Sequence, residues 1–430
     1  MQTLKTAGFT GAIICLISIG LILVEWFFFL LIIPLFLYMA ISLISFNNEE
    51  LKIEVTRNIS KEKVFEKDKV EVTLEIKNKG EHINFLELFD KISEKISISS
   101  GSNYCILDLK KNEKIIIKYE INCDVRGHYK IGPLYLRSRD FFGLFYREKI
   151  IDNSSGLVVI PHIENIRNIY VKEKAKLYPG SVVARRAGIG TEFYGIRKYV
   201  TGDTFKQINW KSFAKFNDIV VNEYALESTT DVVIIIDSRD TERMGSLVIN
   251  PLEYSVKAAV SIASFYLKRR DRVGMLSYGK SDGDLTWVYP DSGKNQLFKI
   301  TEKIVEIQAN GEFNFTNAVN RAVIHMIPKN SLVILISSLE NDETIGEGIA
   351  KLSKLGFKTM VISPSLVDIE NLIQKNKEDK YDDIAYRILS LQRKNLVSEL
   401  RGTGTILIDW NPEKPLSVSL EEVQKYQTRR

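Results

Sequence analysis

The sequence predicts three parts in series: an N-terminal transmembrane helical hairpin, a β-sandwich domain, and an α/β doubly wound domain with a mostly parallel sheet. Three observations carry this. Residues 8–46 are almost unbroken apolar sequence. From Leu51 to about Ile160, apolar and polar residues alternate with period two. Beyond residue 229, continuous apolar runs alternate with stretches of helical spacing. The resulting boundaries are 1–48 for the hairpin, 49–165 for the β-sandwich, 166–228 for a linking segment and 229–430 for the α/β domain.

Gly8 to Phe46 has one ionisable side chain of note, Glu25. As a single helix it would be about 58 Å long at roughly 1.5 Å per residue. A bilayer core is only about 30 Å thick and takes about 20 residues. The stretch therefore reads as two spans, with Glu25 and Trp26 at the turn, where a carboxylate and an indole meet the interface. A cleaved signal peptide is the alternative and fits poorly, because the apolar length is too great and no small-residue cleavage site follows. Lys5 precedes the hairpin, and Lys52, Arg57, Lys61 and Lys63 follow it. The turn carries no positive charge, so the positive-inside tendency places both ends, and the soluble part, in the cytoplasm of a cell-membrane protein.

Strands are predicted at 69–78 (KVEVTLEIKN), 114–123 (KIIIKYEINC) and 129–139 (YKIGPLYLRSR). In the first, Val70, Val72, Leu74 and Ile76 share one face. Such half-buried antiparallel strands pack naturally as a small sandwich. Further on, DVVIIID (231–237) is apolar throughout until its final acid, as a central strand buried on both faces requires. Helices are predicted at 251–270, 295–308, 317–327, 343–355 and 383–401, and strands at 272–279, 331–338, 358–363 and 404–410. Residues 371–383 read as a charged surface excursion. In sheets of this kind ligands bind outside the carboxyl ends of the strands, which singles out Asp237 and Ser338.

Composition excludes several functions. The chain has 430 residues, with 59 Lys and Arg against 54 Asp and Glu, a net charge of +5. That balance, without a long run of one sign, argues against nucleic acid as the partner. Three cysteines, Cys15, Cys105 and Cys123, do not make a disulfide framework. Cys105 and Cys123 could pair if their strands are neighbours; otherwise all three pack as small apolar groups. His82, His128, His162 and His325 are far apart and match no zinc pattern. No phosphate-binding glycine loop of the G-x-x-x-x-G-K-S/T type is present.

Two short motifs suggest chemistry. GKSDG (279–283) matches the G-x-S-x-G elbow that would make Ser281 a hydrolase nucleophile, but the elbow needs a helix next, and DLTWVYP reads as a strand. A glycine-rich hairpin turn is the better reading. The run Asp237-Ser238-Arg239-Asp240-Thr241 has the spacing of a D-x-S-x-S loop, whose acid and hydroxyls suit Mg²⁺. Asp237 and Thr241 fit its first and third positions, and Thr316 fits a later hydroxyl. Arg239 stands at the second position and Ser338 where a last-strand acid would be. A cation beside the metal leaves a degenerate site, and no cofactor is required.

Between the two soluble domains lies GTEFYGIRKYVTGDTFKQINWKSFAK (190–215). It interleaves cations with aromatics and holds a Gly-Asp turn, but no nucleophile paired with a base. The stretch resembles the signature of the bacterial and archaeal family called domain of unknown function fifty-eight, roughly G-x-E-F-x-x-x-R-x-Y-x-x-G-D-x-x-R-x-I-x-W-K-x-x-A-R. Gly190, Glu192, Phe193, Arg197, Tyr199, Gly202, Asp203, Ile208, Trp210, Lys211 and Ala214 match it, while Lys206 and Lys215 stand where arginine is usual. RGHYKIGPLYLRSRDFFGLF (126–145) is similar to the family's β-domain ending, and paired N-terminal spans are typical of it. The resemblance covers nearly the whole chain.

The resemblance implies that the α/β domain is von Willebrand factor A-like and that the protein is an adaptor or assembly factor working with a MoxR-type AAA+ ATPase. It implies no catalysis. Arg239 and Ser338 depart from the pattern that supports metal-dependent ligand binding. The expected function is therefore a membrane-anchored, non-enzymatic protein-interaction factor. A Ser281 hydrolase and an extracytoplasmic metal-dependent adhesion module are the alternatives. The signature segment is expected to act as a clasp, with Phe193, Tyr199 and Trp210 packed on the α/β domain and Arg197 and Asp203 satisfying buried polar groups there.

Overall fold

The computed structural model describes residues 3–46, 50–140, 142–166, 169, 187–216, 218–225, 231–323, 327–328, 331–340, 344–374, 380–402 and 405–421. The chain divides into two compact units, Met1–Pro161 and His162–Arg430.

The first unit begins with helices α1 (Leu4–Leu23) and α2 (Phe27–Ser45). Both are long and apolar enough to cross a membrane, with mean hydropathies of 2.2 and 2.7 over their central windows. The chain reverses through three residues without Gly or Pro. Val24 takes a left-handed conformation, φ 58°, and caps α1, while the Glu25 amide donates to the Gly20 carbonyl at 3.2 Å. At the opposite end of the hairpin, hydroxyls meet the loop at 140–145. Thr3 Oγ1 donates to the Gly143 carbonyl at 3.0 Å, Thr6 Oγ1 to Leu144, and Ser42 Oγ to the Asp140 carboxylate. Asp140 also accepts from the amides of Phe142 and Phe145 at 3.1 and 2.8 Å, so a buried acid organises the loop from within. Tyr38 packs edge-on against Phe142 at 4.5 Å between centroids.

The rest of this unit is a sandwich-like assembly of strands. Strands β1 (Ile53–Ile59), β3 (Lys69–Asn78), β7 (Lys114–Asn122) and β5 (Ser97–Ser100) form one antiparallel sheet in that order. Strands β10 (Tyr146–Ile151), β9 (Leu134–Arg139), β4 (Ile83–Asp90) and β6 (Tyr104–Leu109) form a second. Strand β11 (Ser155–Ile160) lies between β2 (Lys63–Phe65) and β8 (Gly127–Ile131) in a third. The period-two faces do what they imply: Val70, Val72, Leu74 and Ile76 are fully buried in one core with Leu86, Leu88, Leu134 and Leu136. The stretch 129–139 is two strands rather than one, because Pro133 lacks an amide to carry a ladder through. Gly132 there has φ +105°, and a Cβ on it would come within 2.7 Å of Arg57 Nη1. Cys15, Cys105 and Cys123 are all free thiols.

Arg57 is needed inside. Its guanidinium grips the carboxylate of Asp90, with Nε at 3.3 Å from Oδ2 and Nη2 on Oδ1, and Tyr119 Oη donates to the same Oδ2 at 2.6 Å. All three residues are buried, on strands of two different sheets. Burial outweighs the stabilising contacts from Tyr119 and Arg57, so the Asp90 carboxyl lies above its ordinary range.

In the second unit, β12 (Ala187–Lys198) and β13 (Val220–Ala225) make an antiparallel ribbon whose connection carries the short helix α3 (Trp210–Phe216). The six-stranded sheet follows: β14 (Asp231–Asp237), β15 (Arg272–Tyr278), β16 (Thr286–Asp291), β17 (Leu332–Ile336), β18 (Lys358–Pro364) and β19 (Ile406–Trp410). Its spatial order is β16-β15-β14-β17-β18-β19, and only the edge strand β16 runs antiparallel. Counted from β14 this is the 3-2-1-4-5-6 order of a doubly wound sheet. The apolar run of β14 feeds both faces. Val232, Ile234 and Ile236 enter the core under α4 (Pro251–Lys268) and α5 (Lys294–Glu306). Val233 and Ile235 enter the opposite core with Phe315 of α6 (Phe315–Ala318), α7 (Ile345–Lys354) and α9 (Lys380–Gly402).

Two local readings change. The helix expected over 317–327 starts earlier, as α6, and widens into a π-helical turn at Val319–Val323; residues 324–326 lie outside the described residues. The charged excursion expected over 371–383 is bracketed by helix: α8 (Leu366–Gln374) runs into it and α9 begins at Lys380. Leu366, Val367 and Ile369 are buried and anchor α8, an apolar signal only one turn long.

Replacing Arg57 by Ala strands the Asp90 charge and is expected to lower stability by about 3–5 kcal/mol. Tyr119→Phe removes one hydrogen bond to a charged group and should cost about 1.5–3 kcal/mol. Denaturant unfolding of the full chain in detergent measures both, and equal losses would contradict this assignment.

Candidate functional site

The carboxyl ends of β14, β17, β18 and β19 converge on a buried polar cluster. Its centre is Asp237, the last residue of β14, which has no exposed surface. The chain turns immediately after it, so the Arg239 amide donates to Asp237 Oδ1 at 3.1 Å. The Arg239 side chain folds back over the same carboxylate. Nε lies 3.0 Å from Oδ1 and 3.2 Å from Oδ2, and Nη2 lies 2.7 Å from Oδ2. Ser337, at the end of β17, donates its hydroxyl to Oδ2 at 2.8 Å. Both carboxylate oxygens are thus taken by donors from the chain itself.

The turn continues into a single 3-10 turn, Asp240–Arg243, that buries Glu242 completely. Glu242 Oε1 accepts from the Ser338 amide at 2.8 Å and the Ser338 hydroxyl at 2.7 Å, while Oε2 has no hydrogen-bond partner among the described residues. Burial first, and then the neighbouring Asp237 charge, push this carboxyl up to about 8.

A second arginine closes the far side. Arg393 reaches in from α9 with its side chain almost wholly buried. Nε and Nη2 bind Asp409 Oδ1 on β19 at 3.0 and 2.8 Å. Nη1 donates to the Ser338 carbonyl at 3.1 Å, and Nη2 to the Ser363 hydroxyl of β18 at 2.8 Å. Glu340 lies 3.6 Å from Nη1, and burial raises its carboxyl despite that cation. One guanidinium therefore ties together three strand ends.

The structure brings Asp237, Arg239 and Ser338 into this cluster. Thr241 is adjacent in sequence, and its buried hydroxyl has no hydrogen-bond partner among the described residues. Thr316 is committed elsewhere, donating to the Thr344 carbonyl at 2.6 Å. No hydrogen bond joins Asp237 to either threonine among the described residues. Ser281 is exposed in the turn between β15 and β16, followed by a strand and not a helix. The first glycine of its motif, Gly279, has φ +147°, and a Cβ there would meet the Ser238 backbone at 2.5 Å. Close packing against the site loop accounts for that glycine.

Sequence reasoning missed Glu242, Ser337, Ser363, Arg393 and Asp409. Arg393 left one trace: it stands one turn before Val397, a buried core residue, so a cation interrupts the inward stripe of α9. Glu242 left none, since an acid in a polar turn is ordinarily solvated.

The signature segment differs from the clasp expected of it. Arg197 pairs within its own ribbon: Nη1 and Nη2 engage the two oxygens of Asp203, the first at 2.7 Å and the second at 2.5 Å, and Nε lies 2.9 Å from Glu223. The bond from Arg197, helped by the Val200 amide, lowers the Asp203 carboxyl to about 2. Gly202, with φ +115°, shapes the turn that brings Asp203 back. Tyr199 is half-buried, Trp210 is 61% exposed and Lys211 is exposed. Two carboxylates within reach on the same ribbon satisfy Arg197, so it has no need of a buried partner elsewhere. Glu192 and Phe193 lie on β12, and their side chains lie outside the described residues.

Residues 195–372 match the family model described as "Protein of unknown function DUF58", in agreement with the resemblance carried by the signature. No curated protein matches the sequence. Among solved structures, the FixG-related protein from Vibrio parahaemolyticus is 15% identical over 25% of this chain and 96% of its own, with a TM-score of 0.19. The CARDB domain of the PF1109 protein from Pyrococcus furiosus is 12% identical over 27% of this chain and 100% of its own, TM-score 0.19. Proximal thread matrix protein 1 from the mussel byssus, with a zinc-occupied MIDAS motif, is 14% identical over 46% of each chain, TM-score 0.27. Scores this low carry no argument about this protein.

Arg239→Ala leaves Asp237 buried without its cation and should cost about 3–5 kcal/mol in denaturant unfolding. Glu242 gives a pH signature. Its folded carboxyl, at about 8, holds a proton that the unfolded chain releases near 4.5, so its contribution is present below about 4.5 and is lost as pH rises through about 8. Glu242→Gln should flatten the fall of melting temperature across that window. A profile as steep in the variant as in the parent would count against the assignment.

Proposed function

We propose that this chain is a membrane-anchored, non-enzymatic interaction or assembly factor, acting through a von Willebrand A-like α/β unit. The observation that carries the reading is the filled strand-end crevice. Where a doubly wound sheet ordinarily leaves room for a ligand, Arg239 and Arg393 are already bonded to Asp237 and Asp409. Both oxygens of Asp237 are engaged by Arg239 and Ser337, which leaves no unengaged base at that residue. What remains for function is the outer surface of the unit. The 3-2-1-4-5-6 order with an antiparallel edge supports the von Willebrand A-like assignment. The partner class that the family resemblance suggests is a MoxR-type AAA+ ATPase, and nucleic acid is not a partner.

The crevice does not fit a resident Mg²⁺ in this reading. Arg239 sits on both oxygens of Asp237, and a unit charge at 4 Å interacts by roughly 4 kcal/mol at an effective dielectric of 20, doubled for a dication. The guanidinium engages the carboxylate that a metal would need, which supports a reading without a metal cofactor. The hairpin α1–α2 provides the anchor, and the lysines after it favour a cytoplasmic soluble part.

Affinity capture of the detergent-solubilised full chain, with and without Mg²⁺ and ATP, tests the function. An AAA+ ATPase among the co-purifying proteins is the expected result. An esterase activity that disappears in Ser281→Ala would replace the reading with a hydrolase. Saturating Mg²⁺ or Mn²⁺ should leave the melting temperature unchanged, whereas a ligand at about 100 times its Kd would add about 2.7 kcal/mol. Cysteines engineered shortly after residue 50 should resist a membrane-impermeant maleimide in intact cells, and their labelling would reverse the orientation.

A further inference from the structure

We propose that the connection between β12 and β13 docks on the headgroup layer of an anionic lipid bilayer. Apolar side chains that belong in a core stand in solvent here: Phe205 is 74% exposed, Phe216 67%, and Trp210 and Val200 61% each. From Val200 to Phe216 only Ile208 is buried. Helix α3 has no fully buried residue, and its Ser212 and Phe213 are only partly covered. Yet the piece is held in a definite form. Arg197 clamps Asp203, Asn209 Oδ1 accepts from the Ser212 amide at 3.0 Å, and Trp210 meets Phe213 edge-on at 6.2 Å. An ordered scaffold with outward aromatics is built to meet something.

Charge indicates what. Lys198, Lys206, Lys211 and Lys215 surround these aromatics, and none forms an ion pair among the described residues. The acid Asp203 is consumed by Arg197, which leaves Asp218 as the one other carboxylate between Lys198 and Ile219. Aromatic rings with unopposed lysines, whose stems lie along apolar surface while the ammonium stays in water, suit the boundary between anionic headgroups and acyl chains. The same chain carries α1 and α2, so a weakly binding patch works at the high effective concentration of a tethered ligand. The proposal rests on reading those helices as a membrane hairpin.

The full chain, reconstituted in vesicles of phosphatidylcholine alone or mixed with phosphatidylserine and containing lipids brominated near the headgroup, provides the test. Trp26, at the hairpin turn, reports insertion; Trp210 reports docking. Differences between the parent, Trp26→Phe and Trp210→Phe isolate each contribution to lipid quenching. The Trp210 contribution should be quenched in anionic vesicles and not in neutral ones. It should vanish at about 1 M salt, where the Debye length is about 3 Å. It should also vanish in a variant with Lys198, Lys206, Lys211 and Lys215 changed to Glu, with circular dichroism as the folding control. Quenching of Trp26 with no Trp210 contribution in anionic vesicles would overturn the proposal, whether the patch proves bare or covered by a protein or a second copy. Absence of Trp26 quenching would instead remove the hairpin reading, and the proposal with it.

Discussion

The α/β unit depends on one contact, the salt bridge between Asp237 and Arg239. The carboxylate ends a central, buried strand of the sheet and cannot be solvated there, so it must be paired or protonated. The chain meets this requirement two residues later with a guanidinium whose planar fork spans both oxygens. Everything around the pair follows from that choice. Ser337 supplies the third donor to the acid. Glu242, sharing the same dry volume, is pushed toward its neutral form by burial and by its negative neighbour. The strand ends are consequently closed by internal charge compensation.

The architecture was largely legible before the structure, because its signals are long and redundant. The run 231–237 is too apolar for any position but the sheet centre, and β14 indeed supplies both cores. The strand over 69–78 is β3 with the same bounds. What escaped was short or conditional. A hydrophobic anchor of three residues, Leu366, Val367 and Ile369, does not stand out beside a charged stretch. The strand expected over 129–139 breaks at Gly132 and Pro133, and the close approach that keeps residue 132 a glycine is to Arg57, more than 70 residues earlier.

The site was legible at its centre and not at its edge. Asp237, Arg239 and Ser338 are neighbours of strand ends in the sequence, and local reasoning finds them. Arg393 and Asp409 join the cluster only through tertiary folding, and no spacing between them announces it. The signature segment failed in the opposite sense. Its cations and aromatics suggested inward packing, but Arg197 is satisfied by Asp203 and Glu223 on its own ribbon, and Trp210 faces out. Composition alone does not distinguish an aromatic that packs inward from one presented to a partner. In the first unit, the hydroxyls of Thr3, Thr6 and Ser42 bond to Gly143, Leu144 and Asp140, and no local pattern in the sequence marks them for it.

The position of Arg393 in the chain has a consequence for biosynthesis. The Ser338 and Ser363 carbonyls that it satisfies emerge from the ribosome well before it does, and Asp409 follows later still. During translation the central strands can align while their carboxyl rim stays hydrated. Only the last helix and strand bring the Arg393 guanidinium and its Asp409 partner to that rim. A chain truncated before residue 393 would leave the Ser338 and Ser363 carbonyls without this guanidinium donor.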